Sequence, residues 1–500
     1  QAVSPPRPHP SLDPPSGASR LPGGSVAGGA LGAAQMGAVE ALRTLVACIV
    51  RICLLLLAGK WAYEIRLFAV INYGRVIHEF DPWFNYRATE YLAAHGSERF
   101  FKWFDHTVWY PLGRPVGTTI YPGMQFAAVW IWRGLESFGI HMSLNDVCVF
   151  MPAWFGVVAT GMLGLLTYEA TRSVDAGVTA SLIMAILPCH LMRSVAGGFD
   201  NECVAMSALC ATFYFWCLSL RNSWSWPIGV ITGISYFCMV AAWGGYIFVL
   251  NMIGIHAGVL VLLGHYSASL HRAYTLFFVI GTAMATRIPV VGMTPLKSLE
   301  QMGPMGVFWW LQLLELCRVL GAIRGLDEEK FKKFRQQVFL ACGAVGIVVV
   351  SVLFQLGHFG PISSRVRGLF VQHTRTGNPL VDSVAEHQAT SPKAYWQYLH
   401  YMCYVAPIGF GQLITKRTSA QTFLVLYAAV AYYFSSKMNR LVLLLGPVGA
   451  ALGGVAVANM TKWALGQLWD AFTSDADVGS ASGKEGGKKA KAESGGKGKE

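Results

Sequence analysis

Apolar stretches of near-membrane length recur from about residue 45 to about residue 457, and this repetition limits the chain more than any other feature does. A helix needs ~20 predominantly apolar residues to cross a ~30 Å hydrocarbon layer. Inside lipid every backbone N–H and C=O must be paired within the spanning element itself. Only 13% of the residues are charged, against about 25% in an ordinary soluble domain, and 54% are hydrophobic. The chain is therefore read as an all-α polytopic membrane protein.

Apolar windows bounded by charge, Gly, Pro and turn residues place about twelve spans, at roughly 45–70, 146–169, 175–193, 202–220, 226–243, 245–264, 272–289, 305–323, 337–357, 397–414, 421–436 and 440–457. Residues 1–38, rich in Pro, Gly and Ser, form an arm without enough apolar surface to order itself. Residues 39–457 form the membrane domain, and 458–500 a Lys/Gly-rich linker or tail. The net charge of +12 does not indicate nucleic-acid binding, because the lysine-rich end is low-complexity sequence that reads as solvated. The eleven cysteines are scattered, many within apolar runs, without the spacing of a zinc site.

Arg172, Arg221, Arg272, the cluster Lys330, Lys332, Lys333 and Arg335, then Lys416 with Arg417, all follow even-numbered spans. The positive-inside bias puts those loops and the tail in the cytosol. The opposite face carries two long segments, 72–146 and 357–395, and loops of that length usually have a function. Within the first, 121–140 is apolar but broken by Arg133 and Glu136, the pattern of an amphipathic helix at a membrane surface.

The acids on that face are Glu79 and Asp81 after the first span, Asp200 and Glu202 after the third, and Asp382 and Glu386 before the tenth. Carboxylates near apolar surface are costly unless paired, protonated or bound to a cation. A single such acid usually marks a span end, but three coincident loops point to a shared site. Oxygen ligands without Cys or His favour Mg²⁺ or Mn²⁺. Arg440 opens the last apolar span on the same side, where a guanidinium either snorkels or grips a phosphate bidentately. His78, His387, Trp309 and Trp310 read as interface or packing groups.

His78-Glu79-Phe80-Asp81-Pro82-Trp83-Phe84-Asn85-Tyr86-Arg87 resembles, over ten consecutive residues, the first acidic motif of the catalytic subunit of eukaryotic oligosaccharyltransferase. Ser194 to Gly197 with Phe199-Asp200-Asn201-Glu202 resembles the second acidic motif, and Asp382 to Gln388 the motif of a mobile external loop. Trp243-Gly244-Gly245-Tyr246 and Met438 to Pro447 also match, so that the resemblance runs from about Met36 to about Asn459.

It implies a glycosyltransferase membrane domain of the GT-C type in the endoplasmic reticulum membrane, with the two long loops lumenal. The reaction implied is transfer of a preassembled glycan from a dolichyl diphosphate to asparagine in Asn-X-Ser/Thr, with inversion at the anomeric carbon. By the resemblance Asp81, Asp200, Glu202 and Glu386 hold Mn²⁺ or Mg²⁺, with Glu202 either a ligand or a supporting acid. Asp81 and Glu386 activate the acceptor amide, and Arg440 and Trp243 bind the lipid diphosphate.

The partners implied are the lipid-linked oligosaccharide, an unfolded or nascent polypeptide, the other subunits of the complex and the translocation channel. The family also carries a further span and a lumenal domain with a Trp-Trp-Asp motif, which this sequence does not contain, so the isolated chain is expected to transfer little. A polyprenyl-phosphate-sugar glycosyltransferase would share a first-loop acid and many spans, but not all three acidic motifs. A secondary transporter would place its acids inside spans, and an inactive structural subunit would not need them intact.

Overall fold

The computed structural model describes residues 26–359, 384–415 and 418–489. Every apolar window read as a span coincides with a helix. In chain order the helices are α1 (Val26–Glu64), α2 (Phe80–Phe101), α3 (Gly123–Ser137), α4 (Leu144–Thr171), α5 (Val174–Ile186), α6 (Asn201–Ser219), α7 (Ile228–Ala242) and α8 (Tyr246–Leu262). They continue as α9 (Ala268–Ala285), α10 (Met302–Ile323), α11 (Glu328–Gln355), α12 (Pro392–Leu399), α13 (Met402–Ile414), α14 (Ser419–Lys437) and α15 (Val442–Lys489), with shorter helical turns between. Among the described residues six helical stretches are long and apolar enough to cross a membrane, and four shorter apolar helices accompany them. Asp382, Lys416 and Arg417 lie outside the described residues, as does most of the second long loop.

Two compact units are distinguished, 1–52 and 53–500, the first holding the amino-terminal part of α1. The second holds the helix bundle. There α6 packs between α4 and α7, α15 packs on α5 and α13, and α7 packs on α9. Small residues permit the closest approaches, as expected where helices associate without a hydrophobic drive. A Cβ on Gly454 of α15 would stand 2.6 Å from the backbone nitrogen of Ala180 in α5. The core between these helices is aromatic, with Phe213, Trp216, Tyr236, Phe277, Phe423 and Tyr427 fully buried.

The burial pattern is that of a protein in lipid. On α11 no residue is buried, and Leu340 and Ile347 are 78% and 71% exposed, while Arg66, Glu169 and Glu202 are buried inside. Short turns between helices are closed by side-chain caps that satisfy first-turn amides. Ser143 Oγ accepts from Asp146 N at 3.0 Å, Ser173 Oγ from Ala176 N at 3.2 Å, and Thr418 with Gln421 forms a capping box on α14.

Three boundaries differ from expectation. The cluster Lys330, Lys332, Lys333 and Arg335 lies on the first turns of α11 instead of in a loop, because Glu328 and Glu329 start that helix early and Lys332 pairs with Glu328 at 3.0 Å. The final helix continues past 457 to Lys489, and α1 begins at Val26, within the stretch read as an arm. The first long loop also contains α2, which the apolar windows did not reveal. That helix and α3 enclose a small core of their own, made by Ala88, Leu92, Phe100, Val116, Ile120 and Val129. Arg87 pins the following segment through Asp105 at 2.7 Å, and α3 is the amphipathic helix expected between 121 and 140.

Candidate catalytic site

The three acidic segments converge because their backbones are laced together. The turn between α5 and α6 passes through Gly197 at φ +91°, a conformation few side chains tolerate. A Cβ there would stand 2.6 Å from the carbonyl oxygen of Val76. Gly197 N donates to Val149 O at 2.8 Å, and Gly197 O accepts from His78 N at 3.2 Å. The imidazole of His78 lies 3.3 Å from Ala196 O, so this residue serves the loop junction. Asn85 Nδ2 donates to Phe199 O at 3.2 Å, fastening α2 beside Asp200.

Asp200 is the N-cap of α6, accepting from Asn201 N at 2.7 Å, and this cap sets Glu202 in the first turn. Both carboxylates sit where the helix dipole favours negative charge. Glu202 is only 1% exposed. Asp81 occupies the first turn of α2, two residues after the N-cap Glu79, whose φ of 73° is a strained value for a non-glycine residue. Burial first, then the charges of Glu202 and Asp81, push the Asp200 carboxyl up to about 6, against the opposing pull of the Asn201 amide and Arg440.

The arginines complete the site. At the turn between α14 and α15, Arg440 reaches Glu202 Oε1 through Nε at 3.0 Å and Nη2 at 2.6 Å. Arg193, at the end of the turn after α5, places Nε 3.1 Å from Glu202 Oε2 and pairs through Nη2 with Glu386 Oε1. Glu386 stands in the short turn Ala385–His387, which is held against the α14–α15 turn by Asn439 N donating to Gln388 O at 2.8 Å. Thr390 Oγ1 adds a bond to Ser435 O at 2.5 Å.

Thus Glu202, Glu386, Arg440 and Asp200 are brought together, with Asp81 close enough to act on Asp200 electrostatically. Trp243 is positioned by a different junction, between α7 and α8. Its ring lies over Gly245, where a Cβ would stand 2.0 Å away, and Tyr121 faces the neighbouring Gly244.

Two residues were not legible as site members. Arg193 ends an apolar run and reads as a span boundary. Arg66 falls inside the first predicted span, yet it is fully buried and donates to Ser194 Oγ at 2.8 Å, Ala62 O at 2.6 Å and Ala185 O at 3.2 Å, with His190 Nδ1 at 2.8 Å from Nη2. The signal available in sequence was an arginine in an apolar segment, which demands a partner. The clearest structural sign is Gly156, where a Cβ would stand 2.2 Å from Arg66 Nε.

Among the described residues no three acids, imidazoles or thiols are grouped to hold one metal ion. Glu202 and Glu386 face arginines, while Asp81 is exposed and Asp200 half-buried. A hard cation beside Asp81 and Asp200 would relieve the crowding that raises the Asp200 carboxyl, and carboxylate oxygens are the donors such an ion takes.

Helices of membrane length, exposed apolar flanks and a polar site gathered from loops at one end of the bundle define an all-α polytopic membrane protein with a loop-built site. The chain belongs to the oligosaccharyl transferase STT3 family, whose N-terminal model matches residues 46–452. It is 39% identical over 404 residues to the dolichyl-diphosphooligosaccharide--protein glycosyltransferase subunit STT3 of Dictyostelium discoideum, covering 79% of this chain and 55% of that one. The chain therefore spans about half the length of the curated relatives it matches.

The fold is similar to that of the archaeal oligosaccharyltransferase AglB from Archaeoglobus fulgidus in complex with an inhibitory peptide and a dolichol-phosphate. The TM-score is 0.63 at 17% identity, covering 85% of this chain and 52% of that one. A second structure of the Archaeoglobus fulgidus oligosaccharyltransferase, in complex with Zn and sulfate, gives a TM-score of 0.57 at 17% identity, with 82% and 49% covered.

Proposed function

We propose that this chain is the membrane-embedded catalytic half of an oligosaccharyltransferase. It transfers a preassembled glycan from a dolichyl diphosphate to the side-chain amide of asparagine in Asn-X-Ser/Thr, with inversion at the anomeric carbon. The observation that carries this reading is the convergence of three separated acidic segments with Arg440 and Arg193 on one end of the bundle. The relatives' names supply the reaction class.

The amide nitrogen is a poor nucleophile because its lone pair is delocalised into the carbonyl. Asp81 and Glu386 accept hydrogen bonds from its two N–H groups and twist it out of conjugation, which returns the lone pair to nitrogen. As nitrogen bonds the anomeric carbon and the diphosphate oxygen leaves it, one of these carboxylates takes the amide proton. Glu386 becomes available when Arg193 exchanges that carboxylate for the incoming diphosphate, a better match for its fork. Arg440 holds the diphosphate from the other side, anchored by Glu202, which acts as the supporting acid between the two guanidinium groups. Trp243 flanks the lipid diphosphate. Asp81 and Asp200, with Glu386 as a further carboxylate, would hold Mn²⁺ or Mg²⁺, which would supply positive charge to the departing diphosphate. The archaeal fold neighbour in complex with Zn and sulfate holds a cation and an oxyanion, the two kinds of group this reading requires.

The site faces the lumen of the endoplasmic reticulum, since the loops rich in Lys and Arg lie at the other end of the helices. The chain works with further subunits, a polypeptide acceptor and the translocation channel. Binding of a lipid diphosphate glycan to the assembled complex, with and without Mn²⁺, tests the reading. Metal-dependent binding that is lost in Asp200→Ala and Arg440→Ala is expected, and binding indifferent to both substitutions overturns it.

A further inference from the structure

The arginines that follow even-numbered spans do more than orient the chain. Arg172 and Arg221 converge on Glu169, a carboxylate 2% exposed near the end of α4. Arg172 Nη2 donates to its Oε1 at 2.7 Å, and Arg221 donates through Nε to both oxygens at 3.1 Å and through Nη2 to Oε2. Arg221 thereby stands fixed in the lining of an open cavity of about 450 Å³, and its Nη1 takes part in none of these bonds to Glu169.

Across that cavity is Arg272, whose guanidinium lies 5.5 Å from the ring of Trp226 and has no carboxylate partner among the described residues. The remaining walls are Leu220, Asn222, Ser223, Trp224 and the start of α9. Ser267 caps α9 by accepting from Leu270 N at 3.1 Å, which leaves the amides of Ala268 and Ser269 without intrahelical acceptors. Ser269 Oγ donates to Asn222 O at 3.3 Å and joins the two loops across the floor.

The cavity thus presents two guanidinium groups, hydroxyls and a helix N-terminus, no carboxylate is among its described lining residues, and Glu169 beside Arg221 is already held by two arginines. Donors of this kind in this arrangement select an oxyanion. Position narrows the class. The cavity lies past Ser219, at the far end of α6 from Asp200, about 28 Å along the helix at ~1.5 Å per residue. Trp224, 85% exposed at the rim, is the indole expected at a membrane interface. Leu262 and Leu263, 76% and 53% exposed, immediately precede the loop.

We propose that this cavity binds the phosphate of an anionic phospholipid headgroup, with Arg272 and the Nη1 of Arg221 on the phosphate oxygens and the indole of Trp224 at the glycerol level. Basic pockets between spans on the Lys/Arg-rich face are suited to such headgroups. The site is separate from the carboxylate site and does not depend on the reading given for it.

The test uses the assembled complex in detergent, comparing thermal unfolding with added phosphatidylinositol and with phosphatidylcholine. Wild type is expected to unfold several degrees higher with phosphatidylinositol, Arg272→Lys to keep most of that difference, and Arg272→Glu to lose it. An equal shift in wild type and Arg272→Glu, or no shift in wild type, overturns the proposal. Inorganic phosphate, added without lipid, separates the sources. A shift that it reproduces in wild type and not in Arg272→Glu assigns the cavity to free phosphate, which overturns the lipid assignment. Should Arg272→Glu fail to assemble, native mass spectrometry of Arg272→Gln reads the same site. One fewer phosphatidylinositol retained than by wild type supports the proposal, and equal retention overturns it.

Discussion

The two ends of α6 carry the same ionic device with opposite surpluses. Near Asp200, Glu202 is gripped by Arg193 and Arg440; near Ser219, Glu169 is gripped by Arg172 and Arg221. Each trio buries one carboxylate between two guanidinium groups and ties together helices distant in sequence. Beyond the trio, one end has two further acids, Asp81 and Asp200, with Glu386 paired to Arg193, and the other has Arg272. A shared scaffold motif therefore does not set function, and the unpaired charge around it does. Surplus carboxylate suits a cation and an amide, whereas surplus arginine suits a phosphate.

The comparison can be broken most sharply at the two glutamates. Replacing either by glutamine leaves two guanidinium groups facing a neutral amide, and disrupting a buried pair of this kind costs ~3–5 kcal/mol. Glu202→Gln and Glu169→Gln should both lower the unfolding midpoint of the complex markedly. Only Glu202→Gln should also reduce glycan transfer per folded molecule. Equal loss of transfer in both variants would show that the two ends are not functionally distinct.

Asp200→Asn isolates the acid surplus without removing the cap, because asparagine is as good an N-cap as aspartate. Stability should change little, while transfer falls ~10²–10³-fold, the usual consequence of losing one electrostatic contributor at a reacting centre. Turnover assays with a lipid-linked glycan and a sequon peptide measure this.

Proton competition gives a smaller effect. The Asp200 carboxyl is raised to about 6, so the folded protein holds that proton more tightly than the unfolded chain does. Without metal, stability contributed by the protonated form is present at low pH and is lost as pH rises through about 6. A bound cation reverses this dependence by requiring the carboxylate. Mn²⁺-supported donor binding should then fall roughly tenfold per pH unit below about 6. A flat profile between pH 5 and pH 7 would remove Asp200 from the metal site.

The sequence makes the helices legible because lipid imposes one local rule, a long apolar run, on each of them. The acids at 81, 200, 202 and 386 are legible for the converse reason, as charge next to apolar surface. Partners are harder to read. Arg193 gives no local sign that it will bridge Glu202 and Glu386, since that contact joins residues 193 positions apart. Helix α2 was hidden because its buried side, Ala88, Leu92 and Phe100, is covered by Val116, Ile120 and Val129 from later in the same loop. Trp243 was singled out as an aromatic at a tight junction, and the junction is what the structure shows.

Arg66 allows the smallest and most discriminating experiment. It holds the loop that carries Arg193 through Ser194 Oγ, and Ser194 Oγ in turn donates to His190 O at 2.7 Å. Ser194→Ala removes that charge-assisted bond along with the bond to His190 O and should cost about 1.5–3 kcal/mol. Because Ala62 O, Ala185 O and His190 still engage Arg66, the fold should survive. If the loop only stabilises the bundle, the midpoint falls and the kinetic constants stay as they were. If it positions Arg193 for the diphosphate, KM for the lipid-linked donor rises a few-fold with kcat and the acceptor KM unchanged, and we expect this second result because the Arg193 guanidinium bridges the two acids across the site.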